Sequence, residues 1–337
     1  MSIVEGIDYQ NVCRWIVEHI PAVKPPLVFS LIAGGHSNLT YRFVDSQDKA
    51  YVLRRPPLGH VLQSAHDMGR EYRIISALEN TRVPVPKTYG LCEDPNVNGS
   101  SFYVMDFIEG NVPHNPSVMG ELPYPDRRSF GNDVIEVLAH LHLTNPEDVG
   151  LGNLGRKQGY IERQLKRWTQ QWEATKTHEI PDMDETLRLL HEQHPEQIGS
   201  SIVHGDYRPG NMIIRTGSMA ALLDWELCTL GDPLADVGYL LNNWGESTDT
   251  PSNGSPTSVG GFPTRAEICS RYEKLTGRSL SQINYYRAFS HWRLAAIAQG
   301  VYKRYLVGAM GEQEFDLEKY QLSIVAKAKM ARLMLES

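Results

Sequence analysis

The hydrophobic periodicity of this 337-residue chain changes once, near Glu109-Gly110, and that change limits the fold more than any other feature. Ahead of it, runs rich in β-branched and aromatic residues read as strands at 27–32, 39–44, 50–54, 87–92 and 101–107. Helical spacing appears there only twice. The first stretch is 8–20, with Val12, Ile16 and Ile20 on one face beside Trp15; the second is 65–79, with Tyr72, Ile75 and Leu78. The segment 94–99 reads as a turn. Beyond Gly110, the segments 126–143, 158–176, 183–194, 264–275, 282–306 and 312–335 all carry helical spacing. A short β-like patch interrupts them at 201–203, 212–215 and 220–223, and 248–263, rich in Ser, Thr, Gly and Pro, reads as a mobile loop. The expected architecture is α+β and bilobal. An antiparallel sheet with one inserted helix forms an N-terminal lobe of 1–108, and 109–337 forms a larger, mainly helical lobe.

Composition removes several function classes. A net charge of −7 argues against a general nucleic-acid binder, which would carry a basic surface. No apolar run approaches the roughly 20 residues that span a bilayer, and residues 1–10 lack the pattern of a signal peptide. Cys13, Cys92, Cys228 and Cys269 have no metal-type spacing and read as reduced thiols, so a cytoplasmic protein without membrane contact is expected.

The chemistry concentrates in His204-Gly205-Asp206-Tyr207-Arg208-Pro209-Gly210-Asn211 and, thirteen residues after Asn211, Asp224 in Leu222-Leu223-Asp224-Trp225-Glu226. Magnesium takes oxygen ligands, one or two of them protein carboxylates, and Asn211 and Asp224 supply that donor type. Asp206, on a loop, would accept or orient the proton of an attacking hydroxyl. His204 reads as a support for that loop through hydrogen bonding. Aspartates at strand ends often only cap turns. Here the Asp-to-Asn spacing of five, followed by a further Asp, matches the protein-kinase catalytic loop and its metal-binding aspartate.

The H-G-D-x-x-x-x-N run followed by D-W-E resembles the aminoglycoside phosphotransferase and choline kinase superfamily, whose fold is protein-kinase-like. Within it, Gly34-Gly35-His36-Ser37-Asn38, Tyr51-Val52-Leu53-Arg54-Arg55-Pro56-Pro57 and the stretch 289–300 (FSHWRLAAIAQG) resemble the branch related to the kinase-like domain fused to acyl-CoA dehydrogenases. The resemblance runs over nearly the whole chain. It implies an ATP- and Mg2+-dependent phosphotransferase acting on an alcohol group of a small molecule.

The resemblance also implies roles for other residues. Gly35, Ser37 and Asn38 would belong to a phosphate-covering loop, which lacks the G-x-G-x-x-G of protein kinases. Arg54 stands where a lysine normally bridges the nucleotide phosphates to a helix glutamate, and Glu71 is its expected partner. Arg55 is the fallback if the register slips by one, whereas Glu79 is too near the helix end to compete strongly with Glu71. Arg208 would stabilise charge on the transferred phosphoryl group. Met105 and Phe107 would flank the hinge that meets adenine through its backbone. Asp232 would cap a helix starting at Pro233, and Asp236 would tie down the catalytic loop. Only 227–230 separate Asp224-Trp225-Glu226 from Gly231-Asp232-Pro233, which leaves no room for a long activation loop and favours a small acceptor over a peptide.

The acceptor is less legible. From Arg265 to Ser337 there are twelve Lys or Arg against seven Asp or Glu, and the helix carrying Arg287, His291, Arg293, Tyr302, Lys303 and Arg304 favours an anionic substrate. The resemblance to the acyl-CoA-dehydrogenase-linked branch implies a hydroxyacyl-CoA-like metabolite as the acceptor. An aminoglycoside phosphotransferase and a catalytically silent nucleotide-binding module are the competing readings.

Overall fold

The structure, a computed structural model, describes residues 4–33, 38–58, 67–249, 254–308 and 316–337. It contains two compact units. One comprises Met1–Asn111 with Met212–Leu227, the other Val112–Asn211 with Cys228–Ser337.

The first unit begins with α1 (Tyr9–His19), whose first turn is closed by Asp8 accepting from the Asn11 N–H at 3.2 Å. Strands β1 (Val28–Ala33), β2 (Leu39–Val44) and β3 (Ala50–Arg55) follow, then α2 (Met68–Leu78), β4 (Thr88–Cys92), a single helical turn α3 (Pro95–Asn98) and β5 (Phe102–Asp106). The strands form one antiparallel sheet in the order β1-β2-β3-β5-β4. One face of the sheet buries Phe43, Tyr51, Leu53, Phe102 and Val104 against Val12 and Ile16 of α1. Truncating Ile16 or Phe43 would cost about 2–5 kcal/mol on the usual scale for buried side chains. The segment 94–99 contains α3 rather than a plain turn, because Asp94 caps it through the Asn96 N–H and Gly99 closes it in the left-handed region.

Beyond Asn111 the second unit runs through α4 (Pro116–Gly120), α5 (Tyr124–Leu143), α6 (Tyr160–Thr175), α7 (Pro181–Glu192) and β6 (Ser201–Val203). The hairpin β7 (Met212–Arg215) and β8 (Ser218–Leu222) then belongs to the first unit. It is held there by a bridge between Asn111 and Ile214 and by the Leu222 N–H donating to Pro84 O at 2.8 Å. The division into units falls at Asn111/Val112, beside the 108/109 read from sequence, with the hairpin grouped with the first unit. The three β-like stretches also do not form one patch. β7 pairs with β8, whereas β6 pairs with β9 (Thr229–Gly231), a strand too short to register as a pattern.

The chain returns through β9 into α8 (Leu234–Asn242), α9 (Arg265–Thr276), α10 (Ile283–Leu306) and α11 (Leu317–Glu336). α10 packs on α6, α7, α8 and α11 and is buried on most sides, so its sequence shows little one-sided patterning. At Gly238 of α8 an added Cβ would stand 2.7 Å from the Tyr286 main chain, so only glycine permits this approach of α8 to α10. The expected loop at 248–263 is ordered where it is described. Its Pro256–Val259 turn is 3-10 helical, and buried Thr257 accepts from the Gly245 N–H at 2.8 Å. Residues 250–253 lie outside the described set.

α9 starts with a capping box between Thr264 and Glu267, and Arg128 adds an ion pair to Glu267. Arg128 and the cap hold the Glu267 carboxyl down to about 2. Both side chains of the pair are about half exposed, so the charge is worth under about 1 kcal/mol. Glu267→Gln retains the cap and removes the charge. A depressed folded-state pKa gives stability that is present above the unfolded value and lost as pH falls through the folded one. The variant's deficit in denaturant unfolding is therefore expected at pH 7, and it should close between about pH 4.3 and about 2. An equal deficit at both ends of that window would reject the assignment.

Candidate active site

Strand alternation decides which of two adjacent arginines serves the first unit's polar cluster. Arg54 places Nε 3.2 Å from Glu71 Oε2 and Nη2 2.9 Å from Asp224 Oδ1. Arg55 points to the other face, where its guanidinium donates to the main-chain oxygens of Gly6 and Asn98. Glu71 sits in the first turn of α2, which Asp67 caps, and is 2% exposed. Glu79 accepts from the main chain and hydroxyl of Thr88 and takes no part in the Arg54 pair. Burial opposes the Arg54 charge, but Glu71, Tyr103 and Asp224 outweigh it and hold the guanidinium more firmly protonated than usual. Burial pushes the Glu71 carboxyl up against the pull of Arg54. A guanidinium does not release its proton in proteins, so Arg54 is the fixed cation of the pair.

Asp224 adopts a φ of 66°, a left-handed conformation that costs a non-glycine residue about 1–3 kcal/mol. The turn is fixed by the buried Trp225, whose Nε1 donates to Leu222 O at 3.1 Å. Its side chain remains about one-third exposed, so the carboxylate on Arg54 is also open to solvent.

Other residues singled out in this unit fall as follows. Gly35 and Ser37 lie outside the described residues; Asn38 is buried just ahead of β2. Met105 is buried in β5, opposite Val52 on one side and Thr88 on the other. Phe107 follows β5, with the Arg42 guanidinium 5.1 Å from its ring centre. Tyr103, which the sequence reading passed over, stands directly across from Arg54 in the β3–β5 register and is fully buried.

In the second unit, the loop after β6 is gripped from several sides. Asp236 of α8 accepts from the His204 N–H at 2.6 Å and the Gly205 N–H at 2.8 Å, which is the tie expected of it. Asp236 also meets His142 Nε2 at 3.4 Å. Burial works against the Asp236 charge, but its bonds to His142 and the loop amides hold its carboxyl below the usual range. His204 Nδ1 receives the Asp206 N–H at 3.2 Å, the supporting role read for it. Asp232 Oδ1 accepts from the Leu234 N–H at 3.0 Å, and Oδ2 accepts from the Tyr286 hydroxyl at 2.7 Å.

Asn211 spends its amide hydrogens on Asp206, donating to the main-chain oxygen at 2.8 Å and to Oδ2 at 2.7 Å. Both bonds fix the aspartate. Arg208 Nε lies 3.3 Å from Asp206 Oδ1. Among the described residues no group of three or more His, Cys, Asp or Glu could hold a metal ion. Asn211, in the second unit, and Asp224, in the first, each carry an oxygen of the donor type that magnesium takes.

A cavity of about 210 Å3 opens beside Arg208, lined also by Pro113, His114, Asn242, Asn243 and Ser255, with no carboxylate among the described residues of its wall. Behind it Asn242 and Arg287 bond reciprocally, at 2.8 and 3.0 Å. The basic helix expected to favour an anion is only partly available. Arg293 is 6% exposed and donates to Gly205 O, Tyr302 is buried, and Lys303 donates to Ala174 O. His142 and Arg293 were not assigned to the loop from sequence, because only the tertiary fold brings them to it.

A kinase-like fold, a guanidinium bridging two carboxylates and an Asp–Asn catalytic-type loop define the class of a small-molecule phosphotransferase. The sequence profile of the phosphotransferase enzyme family matches residues 28–255, and the chain belongs to that family. Mouse acyl-CoA dehydrogenase family member 10 is 38% identical over 281 residues, which cover 81% of this chain and 26% of that protein. The chain thus spans well under half the length of the curated relatives it matches. The crystal structure of a putative aminoglycoside phosphotransferase from Ralstonia eutropha is 33% identical, with a TM-score of 0.84 and 98% of both chains covered. A thermostable mutant of aminoglycoside phosphotransferase APH(4)-Ia, in ternary complex with AMP-PNP and hygromycin B, shares the fold at 14% identity. Its TM-score is 0.62, with 96% of this chain and 98% of that one covered. Among the described residues no helix is long and apolar enough to cross a membrane.

Proposed function

We propose that the protein transfers the γ-phosphoryl group of ATP to a hydroxyl of a small anionic metabolite, with a hydroxyacyl-CoA-like acceptor favoured. The observation that carries this reading is the Asn211 amide bonded to both the main chain and the carboxylate of Asp206. An aspartate held in that way has one orientation in which to take the proton of an incoming hydroxyl. Arg54, clamped by Glu71 and Asp224, presents a fixed cation to the nucleotide phosphates. Arg208 supplies charge next to Asp206, where negative charge shifts during transfer. Asn211 and Asp224 would hold magnesium, which when bound neutralises phosphate oxygens. The nucleotide is argued from the family and from the AMP-PNP complex of the fold relative.

The cavity beside Arg208 supports the choice of acceptor class. A polycationic aminoglycoside would call for carboxylates, and the wall offers His114, Arg208 and amides instead. Incubation with Mg2+, ATP and either 3-hydroxybutyryl-CoA or a panel of aminoglycosides, read by mass spectrometry, tests this. A phosphoryl gain on the acyl-CoA and none on the aminoglycosides is expected. The reverse pattern would replace the acceptor reading with the antibiotic one.

A further inference from the structure

Arg293 is a charged side chain buried to 6% exposure, and no carboxylate among the described residues forms an ion pair with it. A buried cation without a counter-ion is costly, so its retained contacts are informative. The guanidinium donates from Nη2 to Gly205 O at 2.9 Å, and it lies 5.1 Å from the ring centre of Tyr239 and 5.8 Å from that of Phe289. Gly205 O belongs to the peptide whose N–H is that of Asp206, and this N–H is taken by His204 Nδ1. The preceding peptide N–H, on Gly205, is taken by Asp236. Gly205 has a φ of 84°, a conformation open to glycine and held here at both ends.

We propose that Arg293 is a positioning residue for the phosphoryl-transfer step: it fixes the Gly205–Asp206 peptide plane and through it the direction of the Asp206 carboxylate. Resting on the reading of Asp206 given above, this assigns a task to a residue of the 289–300 stretch. The aromatic faces of Tyr239 and Phe289 stand in for a counter-ion, so the guanidinium can serve a carbonyl without a second carboxylate competing with Asp206. A charged donor on one carbonyl is stronger than a neutral one and fixes a plane, which a packing residue would not do.

The test is a double-mutant cycle between Arg293→Met and Asp206→Asn, with 3-hydroxybutyryl-CoA and Mg2+-ATP as substrates and amide hydrogen exchange over residues 204–211 as a second readout. Arg293→Met is expected to lower kcat about 100-fold, in line with the cost of a small misplacement, with KM for ATP changed less than about threefold. Arg293→Lys, which keeps a charged donor, should recover about tenfold of that loss. In the Asp206→Asn background the same Arg293→Met change should have little further effect, because there is no general base left to aim. Exchange of the Asp206 amide should quicken in Arg293→Met and quicken by less, but measurably, in Arg293→Lys. Equal losses in both backgrounds, or unchanged exchange at 204–206, would assign Arg293 to packing alone. If Arg293→Met does not fold, Arg293→Lys carries the same test: it must lower kcat without changing KM and must quicken Asp206 exchange, and parent values in both would overturn the proposal. Full activity in Asp206→Asn itself would remove the reading on which the proposal rests, whereas an uncoupled cycle with an inactive Asp206→Asn removes only the role of Arg293.

Discussion

Replacing Asp206 with asparagine is expected to stop phosphoryl transfer while leaving the nucleotide bound. The substitution keeps the shape of the side chain and an oxygen for the Asn211 amide, so the loop should hold its form. What it removes is the group that accepts or orients the acceptor's proton. Loss of a positioned general base typically costs 100- to 10,000-fold, and about 1,000-fold in kcat is the expected size. The His204, Asp236 and Arg293 contacts are made to the main chain and do not depend on the carboxylate. Stability in denaturant should therefore stay within about 1 kcal/mol of the parent. Rates within a factor of three of the parent would show that Asp206 does not do this chemistry.

Glu71→Ala should strike the other unit at least as hard, by a different route. It leaves Arg54, 13% exposed at its side chain, with Asp224 as its remaining carboxylate in the cluster. Breaking a buried pair by removing one partner costs about 3 kcal/mol, most of it from the charge left behind. The guanidinium also loses its fixed direction, so KM for ATP should rise about tenfold or more. Stability and function can be separated here. The double variant Arg54→Met/Glu71→Leu fills the same space without a stranded charge and should regain much of the lost stability. It should not regain nucleotide affinity. Recovery of both would mean that the pair serves the fold alone. Hydrogen exchange over α2 and β3 reads the stability of this unit separately from the other.

Much of this was legible before any coordinates, and the reasons differ by residue. β2 falls at Leu39–Val44 as read, because β-branched and aromatic residues fill a largely buried strand there. α10 emerges at Ile283–Leu306 against an expected 282–306, although burial on most sides leaves little one-sided pattern along it. The pairing of Arg54 with Glu71 could be expected from the resemblance, and strand alternation explains why Arg55 cannot replace it. β9 could not be read, since Thr229-Leu230-Gly231 is three residues long and is a strand only through its partner β6. For the same reason the β-like stretches were grouped as one patch, although β7 and β8 pair apart from β6. Arg293 and His142 carry no local signal, as each acts across a separation of roughly 60 to 95 residues. The cavity beside Arg208 is likewise assembled from distant loops, so the absence of carboxylates among its described lining residues could only be approached through the net charge of the C-terminal helices.

The central claim, that this member of the phosphotransferase family binds ATP with magnesium for transfer to a small molecule, meets its most direct test in thermal unfolding. With Mg2+-ATP at 100 times its dissociation constant, a ligand that binds only the folded state adds about 2.7 kcal/mol, a rise of several degrees in Tm for a chain of this size. The account predicts that rise for the parent protein and for Asp206→Asn, and a clearly smaller one for Asp224→Ala or when EDTA removes the metal. An unchanged Tm for the parent across millimolar Mg2+-ATP would contradict it.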